Sequence, residues 1–147
     1  MNSHLKHRRK KQKIVNNKRS ISSNNWLRRH INDPYVIAAK KQEYLSRAAF
    51  KLIEINQRFN IFDAIKQGIA IDLGCAPGSW LQVLSQYSNK SSIVIGVDVK
   101  PVKAKMKDCI IITGDFTSQS VINKLENLLS LQDMSVSLIT SDMASAS

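Results

Sequence analysis

The sequence predicts an α/β fold: a doubly wound, mostly parallel sheet with helices on both faces. Three observations predict it. Four short apolar runs have strand length: Ile69–Leu73, Ile93–Val97 (IVIGV), Cys109–Thr113 (CIIIT) and Val136–Thr140 (VSLIT). Segments between them carry apolar residues at helical spacing, and strand–helix units of this length imply parallel strands joined by right-handed crossovers. The strands are nearly continuous apolar runs, which fits a sheet covered on both sides.

The chain has 147 residues, enough for one domain, and 43% of them are hydrophobic, enough for a core. No apolar run is long enough for a membrane span, and the N-terminus has no apolar stretch of the secretory type. Cys75 and Cys109 fall in core elements and form no CxxC, so they read as reduced thiols of a cytoplasmic protein. No set of ligands with metal-site spacing stands out.

The net charge of +11 is uneven. Residues 1–30 hold ten Lys and Arg and no acid, whereas residues 31–147 hold twelve basic and eleven acidic residues. Residues 1–24 contain too few apolar side chains to fold alone and read as a disordered basic arm, followed by one domain over residues 25–147. An acid-free arm attracts phosphates through counterion release. The same composition also suits a solubilising tail or an organelle presequence. RNA binding is the reading supported by the rest of the chain.

Ordered structure is expected from Trp26–Ile31, and Asp33-Pro34 signals a turn or a helix start. Leu45, Ala48, Ala49, Leu52, Ile55 and Phe59 form one helical stripe flanked by Arg47, Lys51 and Arg58, and Gly68 closes the segment. Trp80, Val83, Leu84 and Tyr87 make a second helical face. Val121, Ile122, Leu125, Leu128 and Leu129 make a third.

In such a sheet, ligands sit outside the carboxyl ends of the strands. All four strands end at or near an acid: Asp72, Asp98, Asp115 and Asp142. One strand-end aspartate is commonplace; four in register point to a site. The first strand runs into Gly74-Cys75-Ala76-Pro77-Gly78-Ser79. A dinucleotide site would use G-x-G-x-x-G to bring backbone amides to a pyrophosphate. This loop lacks the middle glycine, and Pro77 has no N–H to donate. It suits a ligand without pyrophosphate that lies against the loop, with Gly78 permitting close backbone approach. Asp98, at the tip of the second strand, is placed to accept from both hydroxyls of a ribose. S-adenosylmethionine meets these requirements, and its sulfonium cation is tolerated by acids. The plainer reading of the loop is an ordinary strand–helix turn.

DPYV (33–36), SRAAFKL (46–52), DLGCAPGSW (72–80), VDVKP (97–101), GDF (114–116) and SDMAS (141–145) fall in the order and spacing of the FtsJ/RlmE family of ribosomal RNA 2′-O-ribose methyltransferases. The resemblance covers about residues 25–147. It implies a Rossmann-like S-adenosylmethionine-dependent methyltransferase fold, here its N-terminal part, with strand order 3-2-1-4. It also implies that Gly78, Trp80, Asp98, Asp115 and Asp142 contact the cofactor: Asp98 at the ribose, Asp115 beside the adenine, Asp142 bordering the reaction centre. Lys51 and Asp142 match two members of the family's catalytic Lys-Asp-Lys-Glu set. The implied substrate is a uridine of large-subunit (23S) ribosomal RNA, as free RNA or within the large ribosomal subunit, acted on in the cytoplasm by a monomer without metal; transfer RNA is the alternative substrate.

On residues alone, Lys51 reads as a lysine snorkelling at the edge of a buried stripe, and Trp80 as core. Cys75 and Ser79 replace a usual alanine and glycine, small residues for small. No counterpart of the second lysine or the glutamate follows Asp142. The sequence thus leads to the expectation of a truncated or fragment form of the enzyme. The alternatives are a complete but inactive RNA- or ribosome-binding module and, from another class, a nucleotide-binding oxidoreductase, against which the loop argues.

Overall fold

The computed structural model describes residues 20–102, 106 and 108–143. The basic arm expected over residues 1–24 lies outside them as far as residue 19. The first helix, α1 (Ile21–Ile31), includes residues 21–24 of that expected arm. Ser20 starts it by accepting a hydrogen bond from the Ser23 N–H at 3.2 Å, an N-cap that composition does not reveal. Helix α2 (Pro34–Lys41) starts as predicted, with Asp33 as N-cap and Pro34 in the first turn, where a missing N–H costs nothing.

Helix α3 (Ala48–Phe59) is followed by a 3-10 helix, Ile61–Gln67, that the periodicity does not announce. Asn60 makes the break: it is left-handed at φ 50°, and its side chain donates to Asp63. Phe62 and Ile65 of this turn are buried. The α3 stripe is also corrected. Ala49 and Leu52 are its buried residues, with Ala48 and Ile53 packed beside them, while Leu45 and Phe59 are exposed. α3 ends where the chain must turn back to the sheet, which leaves its last ring beyond the core.

The sheet contains β1 (Ile69–Leu73), β2 (Ile93–Asp98), β3 (Cys109–Thr113) and β4 (Val136–Ser141). All pairings are parallel, in the order β3-β2-β1-β4. Each strand lies within one residue of its predicted span. Between the strands lie α4 (Ser79–Tyr87), after β1, and α5 (Gln119–Ser130), after β3.

Side chains alternate along β1 between two cores. Ala70 joins Ala49, Leu52, Trp80, Leu81, Val83, Leu84 and Val94 under α3 and α4. Ile69 and Ile71 join Ile95, Val97, Ile112 and Val121 under α5. Each fully buried aliphatic side chain stabilises the fold by about 1.5–3 kcal/mol. Burial on both faces is limited to the central strands β1 and β2. Val136 and Ile139 of β4 and Ile110 of β3 are exposed, because these strands are outermost among those described. On α4, Trp80, Val83 and Leu84 are buried as predicted and Leu81 with them, whereas Tyr87 is largely exposed.

Candidate active site

The carboxyl ends of the strands meet at the glycine turn. Its backbone is fastened to β2 twice: Gly74 N–H donates to the Val97 carbonyl at 2.8 Å, and Cys75 N–H shares it at 3.2 Å. Gly74 and Gly78 adopt φ +73° and +114°, conformations that L side chains rarely adopt. A Cβ on Gly78 would also meet the Met106 side chain at 2.6 Å. Gly78 then starts α4, which carries Trp80 inward.

The four strand-end aspartates differ sharply. Asp72 is 1% exposed and faces the α4 side of the sheet. β4 pairs Thr140 directly with it, and the Thr140 hydroxyl donates to its Oδ1 at 2.8 Å. Burial pushes its pKa up to about 7, opposed by that hydrogen bond and reinforced by the charges of Asp142 and Asp98. Asp98 is a clamp: its Oδ2 accepts from Ala76 N–H at 2.8 Å, and its Oδ1 from Lys100 N–H at 2.7 Å. An ionised carboxylate has about four acceptor sites, so two bonds leave capacity for two hydroxyls.

Asp115 is exposed and bonded locally: its Oδ1 accepts from Thr117 N–H at 2.8 Å and from the Thr117 hydroxyl at 2.7 Å. These bonds, led by the Thr117 hydroxyl, hold its carboxyl below the usual range. Asp142 accepts from the Lys51 ammonium. Lys51 also stands 5.9 Å from the centre of the Trp80 ring, within range of a cation–π attraction. Trp80 is held in turn by its indole N–H, which donates to the Ala48 carbonyl at 2.8 Å.

Two cavities flank the Lys51–Asp142 pair. A small one, about 100 Å³, is lined by Asp72, Gly74–Pro77, Ser79, Trp80 and Asp142. A larger, open one, about 570 Å³, is lined by His30, Tyr35, Arg47, Phe50, Lys51, Glu54 and Asp142. Ser46, Ala48 and Asp142 belong to both walls. Of the predicted site residues, Trp80, Asp142 and Lys51 are thus brought together. Gly78 and Asp98 support the glycine turn, while Asp115 stands apart at the end of β3.

Sequence reasoning counted Asp72 among the four strand-end acids but gave it no role of its own, and it passed over Thr140 and the serine pair. Ser46 and Ser79 hydroxyls lie 2.7 Å apart and tie the SRAAFKL segment to the glycine turn. Gln82 extends this tie, accepting from Leu45 N–H at 3.0 Å and donating to the Glu43 carbonyl at 2.8 Å. The available signal for Asp72 was an acid inside a strand with apolar neighbours on both sides, which is costly unless it is used. Among the described residues, no group of three or more His, Cys, Asp or Glu is arranged to hold a metal, and no helix is long and apolar enough to cross a membrane.

Comparison with known proteins agrees with this geometry. The chain is 40% identical over 133 residues to a ribosomal RNA large subunit methyltransferase E of Acinetobacter baumannii, covering 90% of this chain and 59% of that protein. It is 42% identical over 124 residues to a protein of the same name from Coxiella burnetii, covering 83% and 57%. The chain therefore spans somewhat under two thirds of these curated relatives. Among solved structures, a protein described as a ribosomal RNA methyltransferase from Plasmodium falciparum superposes with a TM-score of 0.57 at 33% identity, over 71% of this chain and 58% of that one. The model of the FtsJ-like methyltransferases matches residues 44–147, and the chain belongs to that family.

Proposed function

We propose that this chain binds S-adenosylmethionine at the glycine turn and serves the 2′-O-ribose methylation of a uridine in large-subunit ribosomal RNA, in the cytoplasm. The observation that carries the reading is the Lys51–Asp142 pair standing between two cavities, one against the glycine turn and one open to solvent. This arrangement suits transfer between a cofactor on one side and a polymer on the other. The names and family of the relatives support RNA as the substrate class.

The donor set fits the cofactor. Asp98 keeps acceptor capacity for a ribose, the turn offers no phosphate cradle, and Asp72 and Asp142 present carboxyls to a cation. Gly78 and Trp80 would flank the ligand, with Asp115 at its far end. When bound, the cofactor supplies an electrophilic methyl group.

The chain's own residues do the positioning. Asp142 fixes the Lys51 ammonium, and Trp80 holds it from below. Lys51 would then donate to the 2′-oxygen and align it, a role worth far more in a fixed geometry than in solution. A ribose hydroxyl also needs a base, and general base catalysis contributes about 10²–10⁴-fold. Neither Lys51, already donating, nor Asp142, already accepting, is free to be that base. The second lysine implied by the family resemblance has no counterpart in residues 1–147.

The test is calorimetric titration with S-adenosylmethionine beside NAD, followed by transfer of labelled methyl to ribosomal RNA. Binding of S-adenosylmethionine alone supports the reading. Preference for NAD would sink it.

A further inference from the structure

We infer that the open cavity beside Lys51 seats an unstacked RNA base on the ring of Tyr35, the base of the nucleotide whose ribose faces Lys51 and Asp142. This rests on the proposed function and adds where, and by which residues, the substrate strand is gripped.

Position comes first. The cavity shares Asp142, Ser46 and Ala48 with the glycine-turn cavity, and Lys51 lines it. A ribose held at Lys51 must place its own base close by, and this cavity is the adjoining space. Its volume of about 570 Å³ falls in the roughly 300–1,000 Å³ range of small-molecule sites.

Its surface has the matching chemistry. Tyr35 is 49% exposed, an aromatic ring left in water. Phe50 stands beside it, with centroids 5.8 Å apart and planes tilted by 52°, so the two rings form a notch. Tyr44 braces Phe50 from the other side, edge-on at 5.6 Å. The side chain of Arg47 is 60% exposed, a cation at the rim for phosphate beside the Lys51 that faces the ribose. Single-stranded RNA is gripped in this way, by aromatic faces for bases and cations for the backbone.

The platform is also fixed in advance. Tyr35 N–H donates to Asp33 Oδ1 at 2.8 Å, and its hydroxyl donates to Glu54 Oε1 at 3.1 Å. Arg47 donates to the other Asp33 oxygen. Asp33 thus caps the helix that carries Tyr35 and also holds the Arg47 cation, while the Glu54 bond fixes the ring itself.

The experiment uses residues 1–147 and a short single-stranded RNA carrying 2-aminopurine, whose fluorescence is quenched by stacking, with anisotropy for affinity and calorimetry for S-adenosylmethionine. Tyr35→Leu should lose the quench and weaken RNA binding by roughly 5- to 150-fold, the effect of losing one base–aromatic stack. Tyr35→Phe should retain both, and cofactor affinity should be unchanged in each variant. An oligomer abasic at the reporting position should bind wild type and Tyr35→Leu alike. Unchanged quench and affinity in Tyr35→Leu, with cofactor binding intact, overturns this inference and leaves the function standing. An equal loss with intact and abasic RNA assigns the cavity to phosphate and overturns it too. Loss of cofactor binding by wild type overturns the function itself.

Discussion

Asp72 makes the stability of this fold depend on pH in a direction opposite to that of most paired carboxylates. Its pKa is about 7 in the fold against 3.8 for an ordinary aspartate, chiefly because burial penalises the charged form. Between those values the native state keeps a proton that the unfolded chain releases. Native protein then binds more protons, so stability falls as pH rises through this window and levels off above about pH 7. The interval of about 3 pH units, at about 1.36 kcal/mol each, amounts to roughly 4 kcal/mol. Asp72→Asn keeps the shape and an acceptor for the Thr140 hydroxyl but carries no charge. Urea unfolding of both proteins should show the mutant gaining on wild type by up to about 4 kcal/mol between pH 4 and 8. Asp33, Asp63 and Asp115 have lowered pKa values and lose stability as pH falls, but equally in both proteins. A constant gap across the range would refute the argument. With a bound cation beside Asp72 the sign is useful: ionisation is favoured, so affinity for S-adenosylmethionine should rise with pH toward 7 and beyond, and not in Asp72→Asn.

Asp98→Ala should weaken S-adenosylmethionine binding on the order of 2–4 kcal/mol by calorimetry, through loss of charged hydrogen bonds, and it also frees the Ala76 and Lys100 amides that the carboxylate now accepts. Deleting residues 2–19 removes eight basic residues and spares the Ser20 cap. If about half of them meet phosphates, the slope of log K against log salt for RNA should flatten by roughly 3–4 units, while cofactor affinity stays unchanged. Residues 1–147 alone should transfer labelled methyl to ribosomal RNA at least about 10²-fold more slowly than a relative with its second lysine in place. Fusing the part of such a relative that lies beyond the matched region should raise transfer, and Lys51→Ala should remove it again.

The sheet was legible because its signals are local. Each strand is a compact apolar run between polar turns, and the parallel order follows from the helices between them. Helix α3 was less so. Its periodicity joins Leu45 to Phe59 in one stripe, yet the buried residues stop at Leu52 and the chain turns at Asn60. Nothing local tells Phe59 that the sheet lies elsewhere; that is decided by where the 3-10 helix buries Phe62 and Ile65. The start of α1 was missed for the opposite reason. The serines and asparagines before residue 25 read as part of the disordered arm, but Ser20 uses its hydroxyl to cap the helix.

In the sequence the four strand-end aspartates were equivalent, and in the fold they are not. Each one's neighbours decide what it can do. Asp115 accepts both of its bonds at Oδ1 from Thr117, two residues away, and is exposed. Asp98 spends half of its acceptors on the loop it shapes, so the group proposed to receive the ribose is also the one that sets the turn. Asp142 is paired with the Lys51 ammonium at the cavity rim. Asp72, buried two residues before the turn, holds its proton to about pH 7 chiefly because burial penalises the charged form, with the charges of Asp142 and Asp98 adding to it. A ligand bearing a positive charge would offset that penalty, converting a destabilising buried acid into an attractive one. The destabilisation that buried Asp72 brings to the fold and the affinity it would offer a cation are therefore the same electrostatic energy, placed where the cavity opens.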